Sequence, residues 1–328
     1  MSALYEVKDL AINLYTDKGA VRPVDRVSYT VNRGECLAIV GESGSGKTVM
    51  NMAPLGLMPP GVAVGLQGEI WLDGREISRV GEPGLSTIRG KTVGAIFQDP
   101  MSALNPARRI GRQIAEVCEL HLGMTSQQAE ARALELLKLV DVSDPESRLR
   151  QYPHELSGGM CQRVMIAMAT ATEPKMLIAD EPTTALDVTV QAQILEVLRD
   201  LRRLLDMAIV LITHDIGVVA SIADRVAVMY AGRLVEQGPV DEVLVAPRHP
   251  YTQALVSAIP MPHDAVGAAF RGLPGQPPEL AGPVLGCAFA PRCPHAFDPC
   301  HRHRPPLRGS PADRTAAACH LLTTEEMA

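Results

Sequence analysis

Residues 41–48 read Gly41-Glu42-Ser43-Gly44-Ser45-Gly46-Lys47-Thr48 and follow an apolar run, Cys36-Leu37-Ala38-Ile39-Val40. The stretch fits G-x-x-x-x-G-K-[ST], which few folds can accommodate: the chain must pass from a buried strand through a tight loop into a helix. The glycines let the backbone curl until successive N–H groups face one centre. Lys47 adds a positive charge for the β and γ phosphates, and Thr48 offers a hydroxyl to Mg²⁺. A helix opening at Lys47 favours an anion at its N-terminus. A plain glycine-rich turn is the competing reading, and the strand–loop–helix setting argues against it.

A second apolar run, Met176-Leu177-Ile178-Ala179-Asp180-Glu181, reads as a buried strand ending in two carboxylates. Ligands of open α/β sheets sit at the carboxyl ends of strands. Asp180 is therefore expected to hold Mg²⁺, directly or through water, and Glu181 to act as general base on the attacking water. The alternative is an acidic helix cap after a core strand. Between the two motifs lies Leu156-Ser157-Gly158-Gly159-Met160, followed by a helix-like stretch from Val164 to Thr170. Ser157 can cap that helix, and Gly158 and Gly159 leave its N-terminus uncrowded for a second anion. One nucleotide cannot easily need two such cradles from one monomer, so a dimer that shares them is expected.

The set Gly41–Thr48, Leu156–Gln162, Met176–Glu181, Ala185-Leu186-Asp187 and His214 resembles, in order and spacing, the nucleotide-binding subunit of an ABC transporter across residues 1–240. The resemblance implies an α/β P-loop NTPase core with an antiparallel β subdomain and a helical subdomain at about 99–160. It makes Gln98 the loop glutamine that touches Mg²⁺ and the lytic water, His214 the switch histidine on the γ-phosphate, and Asp187 part of the loop that crosses between two subunits. It also implies that ATP is sandwiched between the phosphate loop of one subunit and the Leu156–Met160 segment of its partner. The position aligned with the family's adenine-stacking aromatic is Leu14, and Tyr15 beside it is the candidate for that contact.

Bulk properties narrow the class. The formal charge is −6, with no long basic run, which argues against non-specific nucleic-acid binding. No apolar stretch approaches the length of a membrane span, and the first residues lack a secretory signal pattern. The expected place is the cytosol, with the membrane reached by docking. Leu66–Ile77 reads as a hairpin with Asp73-Gly74 as its turn. Ala129–Val140 reads as an amphipathic helix with Leu134, Leu137 and Val140 in its apolar set, and Val188–Leu205 as another. On the latter, Glu196, Arg199, Asp200, Arg202 and Arg203 read as a solvated face.

The tail differs. Fifteen of the 26 prolines fall at or after Pro239, which excludes a second regular α/β domain. Cys287, Cys293, Cys300 and Cys319 lie within 33 residues, with gaps of five, six and eighteen. Four thiolates can hold Zn²⁺ or an iron–sulfur cluster. The spacing is not C-x₂-C, and the wider intervals suit a cubane somewhat better. Two further segments, Arg248–Leu255 and Gly286-Cys287-x-Phe289-x-x-Arg292-Cys293-Pro294, resemble the C-terminal extension of the oligopeptide/dipeptide importer ATPases. So does Phe97–Pro106. That resemblance implies a 4Fe–4S cluster on the four cysteines of a small irregular metal-binding extension, 241–328, and extra contacts between paired ATPases.

The expected function is MgATP hydrolysis driving import of di- or oligopeptides. Expected partners are a second ATP-binding subunit (related chain or copy), two transmembrane permease subunits and, indirectly, an extracytoplasmic peptide-binding protein, with no nucleic acid. The expected seat is the cytoplasmic side of the cell membrane, held peripherally. Two other readings compete. A soluble ABC ATPase on DNA or ribosomes usually carries two cassettes or a long coiled-coil insert, and here each motif occurs once. A redox- or iron-sensing regulatory subunit sits poorly with an intact Glu181 and His214.

Overall fold

The computed structural model describes residues 3–17, 19–258, 275–278, 280, 284–309 and 314–322. They fall into two compact units. One joins Asn32–Cys36 to Val80–Ile212; the other joins Ala3–Val31 and Leu37–Arg79 to the chain from Thr213 onward.

In the first unit, strands Val93–Ile96, Met176–Asp180 and Ala208–Thr213 run parallel and side by side, with Ile96 opposite Ala179 and Asp180 opposite Ile212. Met176–Asp180 and Ala208–Thr213 are buried along their whole length, as strands covered on both faces must be. Around them stand the helices Ile110–Leu122, Ser126–Leu139, Gly158–Thr170 and Val188–Leu205. Ser126–Leu139 starts three residues before the expected point because Thr125 and Gln128 form a reciprocal capping box. Its inner face is Ala129, Ala133, Leu136 and Leu137, with Leu134 at the margin. Val188–Leu205 buries Ile194, Leu195, Val197, Leu198 and Leu201. Arg202 departs from the solvated-face reading: its Nε donates to the Gly34 carbonyl at 2.7 Å, tying the helix end to the Asn32–Cys36 turn.

In the second unit, strands Gly19–Val31, Tyr5–Thr16, Ala63–Leu72 and Arg75–Glu76 form an antiparallel sheet in that order. Asp73 (φ 50°) and Gly74 (φ 78°) both sit in the left-handed region, giving the tight turn that pairs Leu72 with Arg75. A second set of strands lies in the order Cys36–Val40, Arg225–Tyr230, Arg233–Pro239, Ala316–Ala317, the first pair parallel and the others antiparallel. Its packed face carries Val226, Val228, Tyr230, Tyr251 and Phe289 in one apolar cluster. Beyond residue 240 the described elements are short: helices Val240–Val245, Pro250–Ser257 and Asp298–Arg302, a 3₁₀ turn at Ala290–Arg292, and strand Ala316–Ala317. Residues 259–274 of the expected extension lie outside the described residues.

Candidate functional site

The phosphate loop belongs to the second unit. Cys36–Val40 is fully buried and feeds the loop, which closes with Gly46 (φ 101°) as the cap of helix Lys47–Met52. Glycine is required here by contact as well as conformation. A Cβ on Gly41 would lie 2.1 Å from the Met229 carbonyl oxygen, and one on Gly46 would lie 2.0 Å from the Pro23 carbonyl oxygen. Lys47 is buried, and its Nζ donates to the Gly41 carbonyl at 2.7 Å and the Glu42 carbonyl at 2.9 Å. The ammonium is thus held over the loop, where phosphate oxygens would be stronger acceptors than neutral carbonyls. Thr48 is exposed on the first helical turn, and Ser43 and Gly44 are exposed at the loop tip. His214, in the same unit, stands exposed at a strand-to-helix turn. There Asp215 caps helix Ile216–Ile222 by accepting from the Gly217 N–H at 2.7 Å. Tyr15 is half-exposed, and its ring lies against Gly65.

The acidic residues belong to the first unit. Asp180 ends its strand buried, and Glu181 follows in the left-handed region (φ 47°) with its N–H on the Ile212 carbonyl at 2.8 Å. That turn directs the carboxylate towards Gln98 and Thr184. Gln98 Nε2 donates to Glu181 Oε2 at 3.0 Å, and Thr184 Oγ1 donates to the same oxygen at 2.9 Å. Ser157 caps helix Gly158–Thr170 by accepting from the Met160 N–H at 3.4 Å, with Ser157 and Gly158 both exposed. Gly159 is tight against Val190, 2.6 Å from where a Cβ would stand. Asp187 caps Val188–Leu205 through the Val190 N–H.

A contact absent from the sequence reading joins the tail to the phosphate loop within the second unit. Arg292 donates to both carboxylate oxygens of Glu42, at 2.8 and 3.0 Å, and to the Tyr230 hydroxyl at 3.2 Å. Its guanidinium also lies over the Tyr230 and Phe289 rings, with centroids 5.8 and 6.0 Å away. The Glu42 N–H donates to the Tyr251 hydroxyl at 2.9 Å. Tyr230, Tyr251 and Phe289 pack on one another with centroids 4.5–5.4 Å apart. The bidentate pair raises the Arg292 pKa above the usual guanidinium range. Burial raises the phenols of Tyr251 and Tyr230. One layer down, His249 caps helix Pro250–Ser257: its Nδ1 accepts from the Tyr251 N–H at 3.0 Å. Burial lowers the His249 pKa to about 4. Glu236, raised by burial, accepts from the N–H groups of Arg248 and His249.

The four tail cysteines gather in this unit. The Cys287 N–H donates to the Cys300 carbonyl at 2.8 Å. Burial pushes the Cys287 thiol up to about 11, with Cys300 and Cys319 adding to the rise. Cys293 and Cys319 are raised by burial too, and each also by Cys300. The thiols are therefore near enough to influence one another. Among the described residues, however, no group of three or more His, Cys, Asp or Glu side chains is disposed to hold a metal ion. The described residues thus do not support the expected metal-binding extension.

Comparison with known proteins places these features. The ABC transporter family profile matches residues 24–184, and that of the oligopeptide/dipeptide transporter C-terminal region matches residues 235–300. The oligopeptide transport ATP-binding protein OppD of Bacillus subtilis is 49% identical over 307 residues, covering 94% of this chain and 86% of the relative. The dipeptide transport ATP-binding protein DppD of Escherichia coli is 47% identical over 320 residues, covering 97% of this chain and 96% of the relative. OppD of Mycobacterium tuberculosis matches at 49% over 318 residues, 97% of this chain but only 52% of that longer protein. Among solved structures, the dimeric ATP-binding cassette MJ0796 bound to ADP and phosphate superposes with a TM-score of 0.64 at 27% identity, covering 72% of this chain and 98% of that one.

Proposed function

This chain belongs to the ATP-binding subunits of ABC-type oligopeptide/dipeptide transporters, and from that premise we propose how its residues drive peptide import through a membrane permease. It is an ATPase of the P-loop class. Gly41, Glu42, Ser43, Gly44, Ser45 and Gly46 form the loop that wraps the phosphates, with the exposed tip at Ser43 and Gly44 offering backbone N–H groups, and Lys47 supplies the charge. Thr48, Asp180 and Gln98 are the residues assigned to Mg²⁺, which when bound neutralises the charge that develops on the phosphates. Glu181 takes the proton from the attacking water, and His214 donates to the γ-phosphate. Ser157, Gly158 and Gly159 serve the nucleotide of a partner ATPase. Tyr15 is the candidate for the adenine.

The observation that carries this reading is the Gln98 Nε2 to Glu181 Oε2 hydrogen bond of 3.0 Å. It aims a carboxylate, doubly hydrogen-bonded on one oxygen, from the end of a rigid parallel strand. Glu181→Gln keeps the shape and removes the base, so ATP hydrolysis should fall to about a hundredth or less. ATP affinity should stay within about threefold. Steady-state ATPase and nucleotide-binding measurements check both, and turnover near the wild-type rate rejects Glu181 as base.

The finer assignments follow the same family. The cassette proper is taken as 1–240, with its helical subdomain at about 99–160, and 241–328 as the extension. Its partners are a second ATPase and two permease subunits, and its seat is the cytoplasmic face of the membrane. Among the described residues no helix is long and apolar enough to cross a bilayer. Cys287, Cys293, Cys300 and Cys319 are the ligands assigned to a structural centre, an iron–sulfur cluster with Zn²⁺ as the alternative; what supports it is their clustering within 33 residues of sequence. Anaerobic protein should then contain about four irons per chain. Stoichiometric zinc without iron selects the other metal, and neither metal rejects the centre.

A further inference from the structure

The unit that holds the phosphate loop contains a cavity of about 480 Å³ that none of these roles uses. Among the described residues, every charged side chain lining it is an arginine: Arg26, Arg233 and Arg304. Asp25 stands behind this wall. Its Oδ2 accepts from Arg233 at 2.9 and 2.5 Å and from Arg304 at 3.3 Å. Arg22 lies 3.7 Å from its other oxygen. One carboxylate thus serves three guanidiniums. Arg26 adds a fourth, which makes no hydrogen bond or ion pair among the described residues. The crowding is felt at Arg304, which is held below the usual guanidinium range by burial first and then by the charges of Arg233 and Arg26, against the opposing pull of Asp25 and Asp9.

Arg26 is placed there by a bulge. Strand Gly19–Val31 shifts register between Val24 and Val27, and Arg26 takes φ 55°. Bulges re-aim side chains and are common beside binding sites. The rest of the wall is of another kind: Tyr230, Phe289, Pro305 and Leu307 are apolar, and the buried Gln237 Oε1 has no hydrogen-bond partner. Of the four tail cysteines only Cys287 lines the cavity, so it is not the thiol cluster.

We propose that this cavity binds a soluble phosphate monoester of a small organic molecule. The excess of guanidinium over carboxylate matches a dianion, and the planar fork of arginine matches phosphate oxygens in pairs. The exposed Pro306 and half-buried Leu307 side chains receive the organic part. The volume lies within the range of about 300–1,000 Å³ usual for small-ligand sites.

The test uses the full chain carrying Lys47→Ala, so that the phosphate loop does not compete, titrated calorimetrically with phenyl phosphate and with phenylacetate. Phenyl phosphate should bind saturably at submillimolar concentration, about tenfold tighter than phenylacetate. Arg26→Gln removes a surface side chain without touching the core and should weaken binding about tenfold or more. Ser28→Glu, which places an acid on the same wall, should do the same. The proposal is overturned by no saturation at about 10 mM, by no preference over phenylacetate, or by binding that both substitutions leave within about twofold. Phosphatidic acid vesicles test the other source of the same chemistry. If they are retained in an Arg26-dependent way while phenyl phosphate is inert, the soluble ester is overturned in favour of a lipid headgroup.

Discussion

Arg292→Ala removes the tail's grip on the phosphate loop. The Arg292 side chain is 5% exposed and that of Glu42 23%. Breaking a fully buried pair costs about 3–5 kcal/mol, whereas an exposed pair contributes about 0–1 kcal/mol. Glu42 keeps some access to water, which places this pair between the limits, at about 2 kcal/mol. Loss of the guanidinium from the Tyr230 and Phe289 rings adds roughly 0.5–1 kcal/mol. Urea unfolding of the full chain should therefore show a loss of about 2–3 kcal/mol. Only part of this falls on the nucleotide, because the Tyr251 hydroxyl still holds the Glu42 N–H and Lys47 still bridges two loop carbonyls. ATP affinity should drop about three- to tenfold, equivalent to roughly 0.7–1.4 kcal/mol. Arg292→Lys should restore little, since one ammonium cannot serve both carboxylate oxygens in a fork. A double-mutant cycle with Glu42→Ala should give a coupling of about 2 kcal/mol. Two results refute the reasoning: ATP affinity within about twofold of wild type in Arg292→Ala, or a coupling below about 0.5 kcal/mol.

Other expectations follow from single contacts. Gly46→Ala would drive a Cβ into the Pro23 carbonyl at φ 101°, so it should cost about 3 kcal/mol or more and abolish nucleotide binding; wild-type thermal stability contradicts this. His249 should confer acid sensitivity. Its folded pKa is depressed to about 4, so between about pH 6.5 and 4 the unfolded chain takes up a proton that the folded chain refuses, and up to about 3 kcal/mol is lost as pH falls. Glu236, raised by burial, works in the opposite direction, because its folded form accepts a proton more readily than the unfolded one. His249→Asn keeps a capping acceptor and should flatten the decline; stability–pH curves of the same shape for the two proteins would exclude the histidine.

Local chemistry made much of the fold readable. The phosphate loop, the Asp73-Gly74 turn and helix Val188–Leu205 are each specified by neighbours within a few residues, and each stands where the sequence places it. Helix Ser126–Leu139 begins early because the capping box lies outside the apolar pattern used to find it. The link from Arg292 to Glu42 spans 250 positions and has no periodic signature. Tyr251, Phe289 and Arg292 were visible only as letters of a family motif, without the contact that gives them a role. Arg202 looked like one more solvated charge, because nothing local tells a helix-end arginine that a carbonyl from residue 34 will be within reach. The expected metal centre is not seen among the described residues, because cysteine spacing does not fix the side-chain orientation that coordination requires.

The short strand Ala316–Ala317 has a consequence for solubility. Strand Arg233–Pro239 would otherwise end its sheet with bare N–H and C=O groups, a template for pairing with another chain. The tail covers it: Ala316 and Ala317 pair with Gln237 and Glu236, and the Ala318 N–H donates to the Val235 carbonyl at 2.7 Å. Arg308 closes the outer side of Ala317 with two backbone hydrogen bonds, and Pro305 and Pro306, which have no N–H to offer, come just before it. A chain cut near residue 300 would retain its nucleotide motifs while exposing an adhesive edge, so strand Ala316–Ala317 should guard this sheet against self-association.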